Sequence, residues 1–413
     1  MRIRTSAVMA FLAFFTLSAT AAGTTVTIAP HGALLIDGKP VFPIGFTMPP
    51  PADGKTPDGK DAIAELADAG ATFLRTGPMG TDWNDATFAR ERAYLDAAAR
   101  NHMHCATNLR ELSSPPAGNA KREPALRKLL DELKDHPGLG VWKGVDEPEW
   151  SKHPLEPMQR AYDLIHQVDP HHPLFVVQAP RGTVESMRAY DGALDITGAD
   201  IYPISYPPGT HSLLENKSIS MVGDYTRRMR DVAGNKPVWM VLQISFSGTI
   251  KPGKTLRFPT FPETRFMTYQ AIINGARGLL YFGGHIEKSL SPRDAKLGWN
   301  WTHWNHVLRP VIEEIGAKSP LYPALTAADS PLPIQCTTPG VEFVAREVGG
   351  DLFLLAAKRE GDTVQARFTG LPADRTHADV LYESPRTIDA KDGVLTDWFA
   401  PFEVHVYRFI RPN

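Results

Sequence analysis

Residues 138–150 read Gly-Leu-Gly-Val-Trp-Lys-Gly-Val-Asp-Glu-Pro-Glu-Trp. A mostly apolar run of strand length stops on two adjacent carboxylates, Asp146 and Glu147, and then a proline. Such a run, bounded by turn residues, fits a strand buried on both faces in a parallel sheet. Upstream, Asp135-His136-Pro137-Gly138 carries helix-stop signals, and Asp169-Pro170 repeats them after the next helical pattern.

The same unit recurs in both directions. Apolar strand-like runs lie at 42–46, 72–76, 104–108, 138–145, 174–178, 196–201, 238–243 and 278–282. Helical patterns at 61–69, 88–100, 125–133, 158–167, 221–232 and 263–275 separate them. Strand–helix alternation over eight strands predicts an α/β fold, a (β/α)8 TIM barrel. A doubly wound open sheet competes, but no Gly-rich phosphate turn comes after the first strand. Before the barrel, short runs at 26–28, 33–36 and 40–42 with Asp37-Gly38 between them predict a hairpin.

Past Lys318 the composition changes. Pro320, Pro323, Pro331 and Pro333 form a linker-like stretch. Period-two runs then appear at 341–345, 352–357, 363–368, 379–381 and 404–409, which predict a small all-β sandwich. The expected organisation is a signal peptide over 1–22, a barrel with an N-terminal hairpin over 23–318, and a C-terminal sandwich over 319–413.

The signal peptide is read from Arg2 and Arg4, an apolar run over 7–19, and small residues at Thr20-Ala21-Ala22-Gly23. It predicts a secreted or periplasmic protein. No later apolar stretch is long enough to span a bilayer, and no membrane anchor is expected. Cys105 and Cys336 are expected to be free thiols. The 413 residues carry 44 Lys+Arg against 46 Asp+Glu, a net charge of −2. That balance lacks the basic face a nucleic-acid binder needs. A hydrophobic content of 42% excludes a disordered chain.

In such barrels chemistry collects at the C-terminal ends of the strands. The residues there are Arg75, Asn108 with Arg110, Asp146 with Glu147 and Trp150, Gln178, Asp200 with Tyr202, Gln243, and Tyr281. Side chains alternate along a strand, so Asp146 and Glu147 should face opposite ways, one into the barrel mouth. A carboxyl there, desolvated beside Trp142 or Trp150, would be raised in pKa and suited to general-acid catalysis. The competing role is a helix N-cap.

These residues, in this order, resemble the TIM-barrel glycoside hydrolases of clan A and its relatives. The resemblance covers roughly residues 25–318. It rests on the opening DGKPVFPIGF over 37–46, on Glu147 within Asp-Glu-Pro where the family has Asn-Glu-Pro, and on FPETRFMTYQAIINGARGLLYFGG over 261–284. It implies an O-glycosyl hydrolase acting on a carbohydrate. Glu147 would be the proton donor, Arg75 its supporting arginine, and Tyr202 the strand-6 aromatic near the site.

One departure stands out. Retaining enzymes of that clan carry a nucleophilic Glu at the end of strand 7, where this chain has Gln243. Three readings stay open. Asp200 acts as general base in an inverting pair with Glu147; the nucleophile comes from elsewhere, such as Glu263; or the barrel binds carbohydrate without cleaving it. Asp146 is a candidate for orienting a neighbour.

Trp83, Trp142, Trp150, Trp299 and Trp301 are candidate platforms for sugar rings, while Trp239 and Trp304 are expected in the core. Asn108, Arg110 and Gln178 are candidate hydroxyl binders. Lys251, Lys254 and Arg257, in the long segment 245–262, favour an acidic sugar. No metal is expected, because neither His102/His104 nor His171/His172 belongs to a zinc-type spacing. No cofactor is indicated, since a P-loop and a Gly-x-Ser-x-Gly elbow are both lacking.

Overall fold

A computed structural model describes residues 23–78, 83–115, 122–245 and 257–411. The signal-peptide expectation therefore lies outside the described residues. Eight parallel strands form the central sheet. They are β4 (Ile44–Thr47), β5 (Phe73–Thr76), β6 (His104–Asn108), β7 (Leu139–Asp146), β8 (Leu174–Gln178), β9 (Ile196–Ala199), β10 (Trp239–Gln243) and β11 (Gly278–Phe282). Neighbours pair in order from β4 to β9, and β10 and β11 return to β4. The ring closes between β9 and β10, where Ile201 N donates to Val241 O at 2.9 Å. Gly198 permits that closure: a Cβ there would sit 1.6 Å from Trp239 O. The result is a TIM barrel.

Helices cover the outside: α1 (Ala62–Ala69), α2 (Asp85–Arg100), α3 (Arg122–Leu133), α4 (Leu155–Val168), α5 (Val184–Arg188), α6 (Met221–Ala233) and α7 (Phe261–Ile273). Sequence sets their ends. Asp61 Oδ1 caps α1 through Ala64 N at 2.9 Å, and Thr260 with Glu263 forms a capping box on α7.

Strand parity sorts the core into two layers. Phe73, Ala106, Val141, Phe175, Ile196, Trp239, Val241 and Leu280 fill the barrel interior. Leu74, Trp142, Val176, Leu242 and Tyr281 belong to the larger cluster shared with the helices. The predicted hairpin is a three-stranded antiparallel sheet of β1 (Val26–Ile28), β2 (Leu34–Ile36) and β3 (Lys39–Val41). Its Val26, Leu34 and Ile36 join the interior cluster next to residues from the N-terminal ends of the barrel strands. It thus plugs the end opposite the strand C-termini.

The C-terminal part is a sandwich of two antiparallel sheets. One holds β12 (Gln335–Cys336), β15 (Val364–Thr369) and β18 (Leu395–Phe399). The other holds β13 (Val341–Val348), β14 (Asp351–Lys358), β16 (His377–Leu381), β17 (Thr387–Asp389) and β19 (Val404–Phe409). Strands β12, β17 and β18 had no counterpart among the period-two runs; β12 and β17 are two and three residues long. The sandwich is tied to α6 and α7 by charge. Glu342 accepts from Arg227 at 2.7 Å, Gln270 at 2.9 Å and Asn274 at 3.1 Å, and Arg359 spans both oxygens of Asp224 at 2.6 and 3.0 Å. Cys105 and Cys336 are both free thiols. Among the described residues no helix is long and apolar enough to cross a membrane.

Candidate active site

A pocket of about 210 Å³ opens at the C-terminal ends of the barrel strands. Thr47, Arg75, Lys143, Asp146, Glu147, Asp200, Tyr202 and His211 line it, with Val177, Val241, Leu280 and Phe282 as apolar walls. Of the candidates read from sequence, the pocket brings together Arg75, Asp146, Glu147, Asp200 and Tyr202.

Strand β7 supplies three of the charged residues by departing from regular geometry. Its pairing with β8 is irregular between Lys143 and Asp146. An extra residue in a ladder re-aims the side chains beyond it, so Lys143 and Asp146, three apart, both reach the pocket. Glu147 then takes a left-handed backbone with φ 48°. The expectation that Asp146 and Glu147 face opposite ways is corrected here. The strand ends at Asp146, and the turn at Glu147 sends both carboxyls to one pocket. The turn is pinned on β8: Glu147 N donates to Val177 O at 2.8 Å, and Glu149 N donates to Gln178 Oε1 at 3.2 Å.

Lys143 is 2% exposed, and its ammonium has three close acceptors. They are Gly144 O at 2.9 Å, Val145 O at 3.2 Å and Asp146 Oδ1 at 2.7 Å. Asp146 sits deep among protein atoms yet keeps 54% of its side-chain surface open, because the pocket itself is its exposed face. Burial alone would raise its pKa; the charges of Lys143, Arg75 and Arg110 win and hold it down at about 2. Arg75 is therefore a partner of Asp146, where sequence reasoning assigned it to Glu147.

A carboxyl oxygen of Glu147 and one of Asp200 lie within 4.8 Å of each other. Burial raises both carboxyls, and the neighbouring negative charges raise them further: Asp146 acts on Glu147, and Glu147 with Asp146 acts on Asp200. Two like charges in contact cannot both ionise cheaply, so the pair titrates as a unit and retains a proton. Asp200 Oδ1 is buried without a donor in its ionised form, which agrees with a proton on this pair. Burial, and the negative charges of Asp200, Asp146 and Glu147, lift the Tyr202 phenol well above its usual range. Its ring is stacked between His211 at 4.4 Å and Phe282 at 5.3 Å between ring centres. His211 Nε2 lies 3.7 Å from Asp200 Oδ2. Donor atoms of Glu147, Asp200 and His211 lie within 4.8 Å of one another, close enough for a divalent cation to bridge.

The other candidates lie elsewhere. Gln243 is buried, and its amide is spent on Ile204: Nε2 donates to Ile204 O at 2.7 Å and Oε1 accepts from Ile204 N at 2.9 Å. Tyr281 faces the helices, because Leu280 and Phe282 take the inward positions of β11; its hydroxyl meets Thr268 of α7 at 2.8 Å. Trp299 and Trp301 are packed in the core at 5.2 Å from each other, and Trp142 is buried with Nε1 on Asp169 at 2.7 Å. Asn108 and Gln178 are buried against backbone, at Pro78 O and Glu149 N. Trp150 is 52% exposed outside the pocket lining, with the Arg181 guanidinium 4.9 Å over its ring. Trp83 is partly buried on Phe88 at 5.0 Å. Glu263, the alternative nucleophile, caps α7 and holds Arg257 through both oxygens at 2.6 and 2.8 Å. Lys251 and Lys254 lie outside the described residues.

Sequence reasoning missed Lys143, His211 and Thr47. Lys143 carried a signal, since a charge inside a buried parallel strand needs a partner. His211 lies between β9 and α6, where no periodic pattern singled it out.

No protein-family model and no curated protein matches the chain. Solved structures do. A protein described as "Glycoside hydrolase" superposes with a TM-score of 0.62 at 13% identity, over 93% of this chain and 96% of that one. A glycoside hydrolase family 5 protein from Bacteroides vulgatus ATCC 8482 gives 0.64 at 14% identity, over 93% of each chain. An alpha-amylase from Geobacillus thermoleovorans, complexed with acarbose, gives 0.58 at 10% identity, over 90% of this chain and 98% of that one. At these identities the likeness is one of architecture: the chain shares the fold of these solved glycoside hydrolases.

Proposed function

We propose that the chain is an exported glycoside hydrolase that cleaves glycosidic bonds of an oligo- or polysaccharide, with Glu147 as proton donor. The observation that carries this reading is the close Glu147–Asp200 carboxyl pair at the C-terminal mouth of the barrel. A carboxyl whose proton is held more tightly by burial and neighbouring negative charge suits the protonation of a glycosidic leaving oxygen. Glu147 is the more exposed arm of the pair and Asp200 the buried one. Phe282, half-buried in the pocket wall and stacked on Tyr202, offers an aromatic surface to a sugar ring. The names of the solved neighbours, glycoside hydrolases and an alpha-amylase, agree with a carbohydrate substrate. Export rests on the N-terminal Arg2, Arg4 and apolar run.

The test is a panel of p-nitrophenyl glycosides and natural glycans on wild type and Glu147→Gln. Loss of the acid should cost about 10²–10⁴-fold, and less on substrates with activated leaving groups. Equal cleavage by the variant removes Glu147 from the mechanism. Glycan binding by wild type without any cleavage supports the alternative, a carbohydrate-binding barrel, which Gln243 at the end of β10 favours.

A further inference from the structure

The contact between Glu147 and Asp200 has a chemical consequence. An inverting pair needs its carboxyls roughly 6.5–9.5 Å apart to admit a water. Two carboxyls whose facing oxygens lie within 4.8 Å of each other are too close for that gap, and they share their titration as one proton-holding unit. Glycoside cleavage then needs a second, ionised group at the same pocket.

Three carboxylates line the pocket among the described residues, and the third is Asp146. The alternatives are occupied. Gln243 is an amide bound to Ile204, and Glu263 is held by Arg257 and the start of α7. Asp146, by contrast, presents its open surface to the pocket. Its Oδ1 is fixed by a lysine anchored on two backbone carbonyls. Buried Arg75 adds a second positive charge beside it.

We propose that Asp146 is the nucleophile, resting on the hydrolase reading above, with the Glu147–Asp200 pair delivering the proton. In the first step an Asp146 oxygen bonds to the anomeric carbon. The bond from that carbon to the leaving oxygen breaks, its electrons stay on the leaving oxygen, and that oxygen takes the proton of the pair. In the second step the pair takes a proton from water. The water oxygen bonds to the anomeric carbon, and the ester bond to Asp146 breaks with its electrons returning to the carboxylate. Two inversions give net retention. The flanking cations keep Asp146 ionised for attack and make it a ready leaving group in the second step.

Trapping and stereochemistry test this. The p-nitrophenyl glycoside cleaved best by wild type is monitored by proton NMR for the anomer first released. Its 2-deoxy-2-fluoro 2,4-dinitrophenyl analogue is then incubated with wild type, digested, and the labelled peptide fragmented. Retention and a label on Asp146 are expected. Asp146→Gly should lose about 10⁴-fold in rate, regain turnover with sodium azide, and release the glycosyl azide of inverted configuration. An inverted wild-type product, or a label on Glu147 or Asp200, overturns the assignment while leaving the hydrolase reading intact. If wild type cleaves none of the panel, the hydrolase reading falls and the role of Asp146 falls with it. The trapping arm uses wild type, so it does not depend on a folded variant.

Discussion

Gln243 and Ile204 close a two-way clamp: the amide donates to the Ile204 carbonyl at 2.7 Å and accepts from the Ile204 N–H at 2.9 Å. The clamp joins the end of β10 to the segment that carries Tyr202. The position that resembles a nucleophile in sequence is thus a brace for the neighbouring wall of the pocket.

Gln243→Glu should therefore harm the protein. A carboxylate cannot donate to Ile204 O, and the site is buried, so an unsatisfied carbonyl and a desolvated charge remain. A loss of about 1–3 kcal/mol is expected in urea unfolding, with a fall in kcat. A variant that is as stable as wild type and faster would show that position 243 faces the substrate.

Asp200 gives a pH signature in stability. Its folded pKa is raised by burial and by Glu147, so its contribution is present at low pH and lost as pH rises through the folded value. Asp200→Asn removes that titration. The melting temperature of the variant minus that of wild type should grow more positive between pH of about 4 and about 8. A difference that stays flat across the series would mean the pair holds no extra proton.

The tryptophans separate by burial. Trp299→Ala or Trp301→Ala opens a core cavity and should cost about 3–5 kcal/mol. Trp150→Ala should cost only about 0.5–1 kcal/mol through its lost Arg181 contact. Chemical denaturation of the three variants checks the order. Comparable losses at all three would remove the distinction.

Much of the fold was legible because parallel barrel strands are continuous apolar runs. The run at 174–178 matches β8 end to end, and the run at 278–282 matches β11. Strand parity was the part that failed. Tyr281 and Trp142 stand near strand ends, but whether such a residue faces the pocket or the helices depends on register and bulges. The irregularity between Lys143 and Asp146 is invisible in composition, yet it decides which charges meet. The adjacency of Asp146 and Glu147 did mark the pocket. Their roles could not be read, because the positive charges on Asp146 come from Lys143 within β7 and from Arg75 and Arg110 elsewhere in the barrel. Strand β18 was missed because its buried ends, Leu395 and Phe399, are separated by Thr, Asp and an exposed Trp398.

The ties between sandwich and barrel bear on how the chain is made. Helices α6 and α7 carry Asp224, Arg227 and Gln270, whose partners Glu342 and Arg359 lie far downstream. On a translating ribosome these helices emerge well before the groups that neutralise them. Domains generally fold from the N-terminus as they appear, but the barrel meets its charged partners on the sandwich only once β13 and Arg359 after β14 are made. A nascent chain stalled before those residues would leave one charged flank of the barrel without its partners on the sandwich.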